Sequence, residues 1–283
     1  MKPFIVFMFL ISFQSFNAQV NFTSSNLPIV VIDTQGQQIM DEPKIPAKMG
    51  IIFNGEGVIN NLTDPFNNYD GRIGIEIRGS SSQQFPKKQY GFETWDSNGE
   101  DLDVELLGFP EESDWILSAP YSDKSLMRNV LTYKIANDLG RYASRTKYCE
   151  LVLNGEYMGV YILMEKIKRD KNRVNIKKLD PEDISGDKLT GGYIFKIDKE
   201  EGTVTGGWFS PSWYYNGSVR QVYYLYDSPG GDDLTTEQVN YIHSFMLNFE
   251  NTVYGSDYDK PFGGYYDIIN IDSFIDFYIV NEV

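Results

Sequence analysis

From Gly71 to Gly79 apolar and polar residues alternate (GRIGIEIRG), the period of a strand with one buried face. Denser apolar runs at 27–33 (LPIVVID) and 48–54 (KMGIIFN) end in the turn-forming stretches TQGQQ and GEG. Gln89–Trp95 supplies another strand-like run, so the first hundred residues predict a β-rich lobe. The period then lengthens. Over Ser125–Leu139, Leu126, Val130, Tyr133, Ile135 and Leu139 lie round one helical face, behind the capping candidate Asp123 and ahead of Gly140. Cys149–Leu153 and Gly159–Glu165 flank Asn154-Gly155, a strong hairpin signal. Gly192–Asp198 and Val222–Tyr226 read as further strands. From Thr235 onward Val239, Ile242, Phe245, Met246 and Phe249 return to helical spacing, and IDSFIDFYIVNEV, with Asp272 as its cap, predicts a buried helix. The expected class is α+β, a β-rich N-terminal lobe followed by an increasingly helical C-terminal lobe.

The first ten residues, MKPFIVFMFL, place one lysine before an apolar run that decays into small and polar residues. This is the pattern of a secretory signal with cleavage after Ala18, and the run is short for a membrane span. The organisation expected is therefore a signal peptide at 1–18, a β-rich segment at 19–65 and a main domain at 66–283, on a secreted or cell-surface protein with no transmembrane span in the mature chain. Cys149 is the sole cysteine, which excludes an intrachain disulfide and leaves no lipid-accepting thiol beside Ala18. With 25 basic against 40 acidic residues the chain carries −15. That charge repels nucleic acid, and no nucleic-acid partner is expected.

Short catalytic motifs are mostly missing. Gly55-Glu56-Gly57 begins like a phosphate loop, but Asn60 stands where a third glycine would fall. His243 is the only histidine and sits on a helix flank, which speaks against a histidine zinc site or a Ser-His-Asp hydrolase. Three clusters carry more. RGSSSQQFPKKQYGF, from Arg78 to Phe92, sets three hydroxyls and two lysines about a turn, either to meet a polyphosphate or as a solvated basic turn. YSDKSLMRN, from Tyr121 to Asn129, puts Lys124 and Arg128 four residues apart at a helix start; an anion site and plain capping by Asp123 read alike. GVYILMEKIKRDKNR, from Gly159 to Arg173, is an apolar strand emerging into charge at Glu165 and Lys166, suited to lying against a flat base or to filling a core.

In order, RGSSSQQFPKKQYGFE, GFPEESDWILSAPYSDKSLMRN and NGEYMGVYILMEKIKRDKNRVNI resemble the CotH kinase family of atypical secreted kinases, over roughly residues 70 to 283. The resemblance implies an atypical protein-kinase-like fold that encloses ATP with Mg or Mn and transfers phosphate to serine or threonine of an exported or surface protein. It places Arg78 and Lys88 on the phosphate side, with Lys87 as the one-residue alternative. It gives Asp123 and Arg128 the task of organising the cleft, and sets Met164, Glu165 and Lys166 in the segment that approaches adenine. In the family the block resembling NIDSFIDFYIVNEV is followed by the catalytic and metal-binding carboxylates. The expectation is thus an incomplete domain whose catalytic and metal residues are unassigned here, a full-length kinase, and an inactive stretch. Two other readings stand beside it. Trp208, Trp213, Tyr214, Tyr215, Tyr223, Tyr224 and Tyr226 form an aromatic-rich span that would suit a glycan- or protein-binding module, or would serve as core. A structural envelope or coat protein that kept the fold without catalysis is the other.

Overall fold

The computed structural model describes residues 21–198, 206–211, 213–215 and 218–282. The signal-like segment at 1–18 lies outside them. Seven strands close on one another: β1 Ile29–Asp33, β2 Ile45–Ile52, β3 Tyr69–Arg78, β4 Gln89–Trp95, β5 Asp114–Ser118, β6 Thr146–Leu153 and β7 Glu156–Glu165. Around this barrel the order is β6-β7-β5-β4-β3-β2-β1, with β1 returning to β6 in parallel and every other neighbour antiparallel. Strand alternation sends Ile73, Ile75, Tyr90, Phe92, Trp115, Leu117, Leu151, Tyr161 and Leu163 into a shared interior. Each such side chain taken from water contributes about 2 kcal/mol, which is what holds the closed sheet together.

The strand β5 escapes the sequence pattern because all five of its residues, Asp114 included, are buried. It has no wet face to alternate with. The hairpin between β6 and β7 turns where expected, at Asn154 and Gly155, both at positive φ (51° and 80°). Asn154 does more than turn the chain. Its Oδ1 accepts from the Thr34 backbone N–H at 2.8 Å and its Nδ2 donates to Thr34 Oγ1 at 3.0 Å, pinning the hairpin to the end of β1 where the barrel closes.

Helix α1, Arg128–Asp138, starts three residues later than its spacing predicts. Asp123 does serve its entry: Oδ2 accepts from the Arg128 N–H at 3.0 Å and Oδ1 from the Ser125 N–H at 3.1 Å. The expected apolar face is corrected, however, since no residue of α1 is buried and Leu131 and Leu139 are about half exposed. Beyond the barrel, β8 Ile194–Ile197, β9 Gly207–Phe209 and β10 Tyr223–Ser228 form a small sheet in the order β8-β10-β9. Helix α2, Thr236–Tyr254, opens with a reciprocal cap between Thr235 and Gln238 and lays Ile242 and Met246 on Tyr224 and Tyr226. The last helix, α3 Ile271–Glu282, is capped by Asn270, whose Oδ1 accepts from the Ser273 N–H at 2.9 Å, with Asp272 inside the first turn. Its expected burial is also corrected. Val280 alone is buried, while Phe277 is 71% exposed. Arg141 ties α3 to the end of α1 through a 2.7 Å ion pair with Asp276. No helix of the described residues is long and apolar enough to cross a membrane.

Candidate functional site

Strand register brings separated residues into rows on the outer face of the barrel. Glu76 faces Gly91, Gly91 faces Ile116, and Ile116 faces Met164, across β3, β4, β5 and β7. One step along, Arg78 pairs with Gln89, and the Ser118 hydroxyl donates to Gln89 Oε1 at 3.2 Å. One step the other way Glu93 faces Asp114, which Lys166 meets at 3.0 Å. Together these rows make a groove whose floor is Gly91, Ile116 and Met164. Gly91 keeps that floor flat: a Cβ there would stand 3.1 Å from Glu76 Oε1.

Along the groove the charges alternate. Lys44 bridges Glu93 at 2.9 Å and Glu76 at 3.4 Å. Burial opposes its charge, yet the two carboxylates carry its pKa above the ordinary lysine value. Burial likewise lifts Glu76, against the pull of Lys44. Asp114 is buried, which alone would raise its pKa, but Lys166 and Lys168 hold it below the usual carboxylate value. Arg78 differs from the others. It reaches solvent, yet enough protein surrounds it that desolvation draws its pKa down, with Tyr133 and Glu76 nearby to oppose the fall. Among the described residues no carboxylate lies within 4.0 Å of it. A partly desolvated cation without a paired anion is an anion-seeking group.

Next to Arg78 and Gln89 the groove widens into a cavity of about 480 Å³, walled by Ser82, Phe85, Asp123 and Arg128. Hydrogen bonds from the Ser125 hydroxyl and from backbone N–H groups, that of Arg128 among them, keep the Asp123 carboxyl below its ordinary pKa. Arg128 itself is 3.8 Å from Asp123 Oδ1 with its side chain 86% exposed, free to swing toward a ligand. Arg78 and Lys166 line one small depression on the barrel, Asp123 and Arg128 line the cavity beside Gln89, and Met164 stands in the row of Gly91 and Ile116.

The other three residues point elsewhere. Lys87 donates to the Val160 carbonyl at 2.5 Å and lies 4.5 Å above the Tyr161 ring, where burial lowers its pKa. Lys88 donates to the carbonyls of Gln83 and Phe85, at 2.5 and 2.9 Å, and so braces the turn that edges the cavity. Glu165 faces inward, wholly buried, and accepts from Arg145 Nη1 at 2.6 Å. Sequence reasoning missed Lys44, Glu76 and Asp114. The only signal for Asp114 was its place at the head of the apolar run WILS, and the other two become neighbours only once register is known. Among the described residues no group of three or more His, Cys, Asp and Glu side chains is arranged to hold a metal ion.

The aromatic-rich span divides. Trp208 packs against Tyr224, Tyr226 and His243 at 4.5–5.1 Å between ring centroids, and Tyr226 OH meets His243 Nε2 at 2.6 Å, so these rings are core. Tyr223 pairs with the exposed Phe209 at 4.6 Å. The side chains of Trp213, Tyr214 and Tyr215 lie outside the described residues.

A family model described as CotH kinase protein matches residues 75–283, from the middle of β3 through α3. A stretch of 95 residues is 30% identical to the inner spore coat protein H of Bacillus subtilis (strain 168), covering 34% of this chain and 24% of that protein. The chain thus spans about a quarter of that relative's length.

Proposed function

Because the chain belongs to the CotH kinase protein family, we propose that its described residues form a nucleotide-holding lobe of an exported, kinase-like protein, and that this stretch binds without transferring phosphate. The observation that carries this reading is Arg78, exposed and with no carboxylate partner among the described residues, which lines a depression with Lys166 and pairs through Gln89 with the neighbouring cavity that Arg128 walls. Phosphate oxygens would satisfy Arg78 in bidentate fashion, and Lys166 and Arg128 would add charge without leaving their elements. The flat floor of Gly91, Ile116 and Met164 suits the face of a base. Lys88 would act through the turn it braces. ATP, when bound, supplies a transferable phosphoryl group, and Mg or Mn would spread its charge. The described residues fit the phosphates but offer no carboxylate group for the metal, and no step is assigned to it.

A second reading, a coat or envelope component that keeps the fold without catalysis, is favoured by that missing carboxylate group and by the printed name of the relative, an inner spore coat protein. Its partner would be another exported or surface protein. Calorimetric titration of ATP into purified residues 19–283, with and without Mg or Mn, separates the two. The nucleotide reading expects saturable binding that Arg78→Ala weakens by about tenfold or more, with no label passing from γ-labelled ATP to protein. No binding by a sample with an intact cooperative melt overturns it in favour of the coat reading. Label transfer abolished by Arg78→Ala would overturn the claim of inactivity.

A further inference from the structure

Arg78 has no carboxylate within 4.0 Å among the described residues, although Glu76 stands two residues before it on the same face of β3. Such positions lie about 7 Å apart along a strand, a gap that an arginine and a glutamate side chain together close easily. The pair does not form because Glu76 is held elsewhere. Lys44 Nζ lies 3.4 Å from Glu76 Oε1 and 2.9 Å from Glu93 Oε1, so one ammonium serves two carboxylates, one from β3 and one from β4. The depression they border is lined by Lys44, Arg78 and Lys166 against Glu76 and Asp114, an excess of one cation. Without Lys44 that excess vanishes, and Glu93 loses its cation as well.

The backbone fixes where Lys44 stands. Ile45 pairs with Ile75 at the start of β2, which sets Lys44 alongside Glu76. Just ahead of it the Met40 carbonyl accepts from the Ile77 N–H at 2.7 Å, and Asp41 Oδ1 accepts from Gln83 Nε2 at 2.6 Å. Ile39 is buried in the barrel interior. This run is therefore stitched to the end of β3 on the side away from β4, and it delivers Lys44 to the groove. Residues 39–44 precede the matched stretch 75–283, so the charge arrangement about Arg78 is completed by chain outside the family match.

We propose that Lys44 is a positioning residue: by drawing Glu76 and Glu93 to itself it keeps Glu76 off Arg78 and leaves the Arg78 guanidinium open to a polyphosphate anion. This rests on the nucleotide reading above and adds to it a residue that acts through Glu76 rather than on the phosphates. Lys44→Met frees Glu76 to pair with Arg78. Glu76→Gln removes the competing carboxylate, so the double variant has nothing left to close on Arg78. Lys44→Arg keeps a cation between Glu76 and Glu93.

The experiment is calorimetric titration of ATP and, separately, of adenosine into the full chain and these variants. Lys44→Met is expected to weaken ATP by about fivefold, the worth of one partly exposed charge pair, with adenosine affected by less than about twofold. The double variant should regain the affinity of Glu76→Gln alone, and Lys44→Arg should keep most of the affinity of the parent. A lysine that merely joined strands would lower both ligands, and Glu76→Gln would restore neither; that result overturns the proposal. The rate at which phenylglyoxal modifies Arg78, mapped by peptide mass spectrometry, reads the same point without a ligand. It should fall about threefold in Lys44→Met and return in the double variant, and an unchanged rate overturns the proposal. A parent chain that does not bind ATP removes the nucleotide reading itself, and the labelling rates then decide whether Lys44 keeps Arg78 open. A binding parent matched by Lys44→Met removes only the role of Lys44.

Discussion

Asp114 carries as much of the structure as any single residue, because two lysines from the segment after β7 converge on it. Lys166 and Lys168 lie 3.0 and 2.6 Å from its two oxygens, and Lys168 also reaches Glu112 at 2.7 Å. Burial disfavours the Lys168 charge, but hydrogen bonds and attraction from Asp114 and Glu112 raise its pKa above the ordinary lysine value. Both lysines remain about a third to a half exposed, so the pairs are partly screened. Asp114→Asn is expected to cost about 1–2 kcal/mol near neutral pH. The pH window follows from the sign of the shift. A carboxyl held below its ordinary 3.8 in the folded chain stabilises above that value, and the contribution disappears as pH falls through the lower, folded one. Urea midpoints of parent and Asp114→Asn should therefore differ by a constant amount from pH 7 to about 5 and converge below about pH 4. A gap that persists at the lowest pH would mean that the loss comes from packing rather than charge. Arg78 shows the opposite case, a cation whose neighbours leave it open.

At the element scale the hairpin of β6 and β7 joins a local turn to the long-range closure of the barrel. Gly155→Ala puts a side chain at φ 80° and should cost about 1–2 kcal/mol. Asn154→Gly keeps a favourable turn but loses its side-chain bonds to Thr34, so it should still cost about 1 kcal/mol or more, while Thr34→Ala costs less in its presence than alone, since only the Thr34 Oγ1 bond to the Gln37 carbonyl is left to lose. Urea denaturation of the two single variants and the double checks the coupling; additive losses would show that turn and closure are independent. Such contacts also mark where the sequence was legible. The strand β4 was read to its end residues because its turns bound it clearly, and the turn at 154–155 because left-handed backbone selects Asn-Gly. By contrast β5, buried on both faces, has no alternation to read, and the parallel pairing of β1 with β6 joins residues about 120 apart. The helices α1 and α3 were found by their spacing, but an apolar face says only that a surface is available for burial. In α3, Phe274, Ile275, Phe277, Tyr278 and Ile279 are about half exposed or more. Arg78, Arg128, Met164 and Lys166 could be singled out because each lies in a recognisable block. Lys44 and Glu76 meet only through cross-strand register, and Lys87 and Lys88 beside the serines resemble phosphate ligands until their carbonyl partners are seen.

The whole molecule combines a surplus of negative charge with three cations, Arg78, Lys166 and Arg128, about the groove and the cavity beside it. Repulsion among the charges of a chain at −15 opposes its compact state, and salt relieves that opposition by screening exposed groups at distances beyond about 10 Å at 0.1 M. The same screening weakens any attraction of Arg78, Arg128 and Lys166 for phosphate. Stability and affinity should therefore respond to salt in opposite directions. Raising sodium chloride from about 20 to 500 mM is expected to raise the melting temperature by a few degrees and to weaken ATP binding by several-fold. The barrel interior and the cluster of Tyr224, Tyr226, Ile242 and Met246 share no buried residue. The gain should accordingly be resolved by probes of each part, with Trp115 reporting the first and Trp208 the second. Because Asp114, Glu112 and Glu165 are buried beside their partners, the barrel's ion pairs should survive the added salt, and the net effect there should remain stabilising. Thermal melts and titrations across the same salt series test the argument. A melting temperature that falls together with affinity would place the dominant charge interactions at the surface, among exposed pairs such as Lys134 with Asp138.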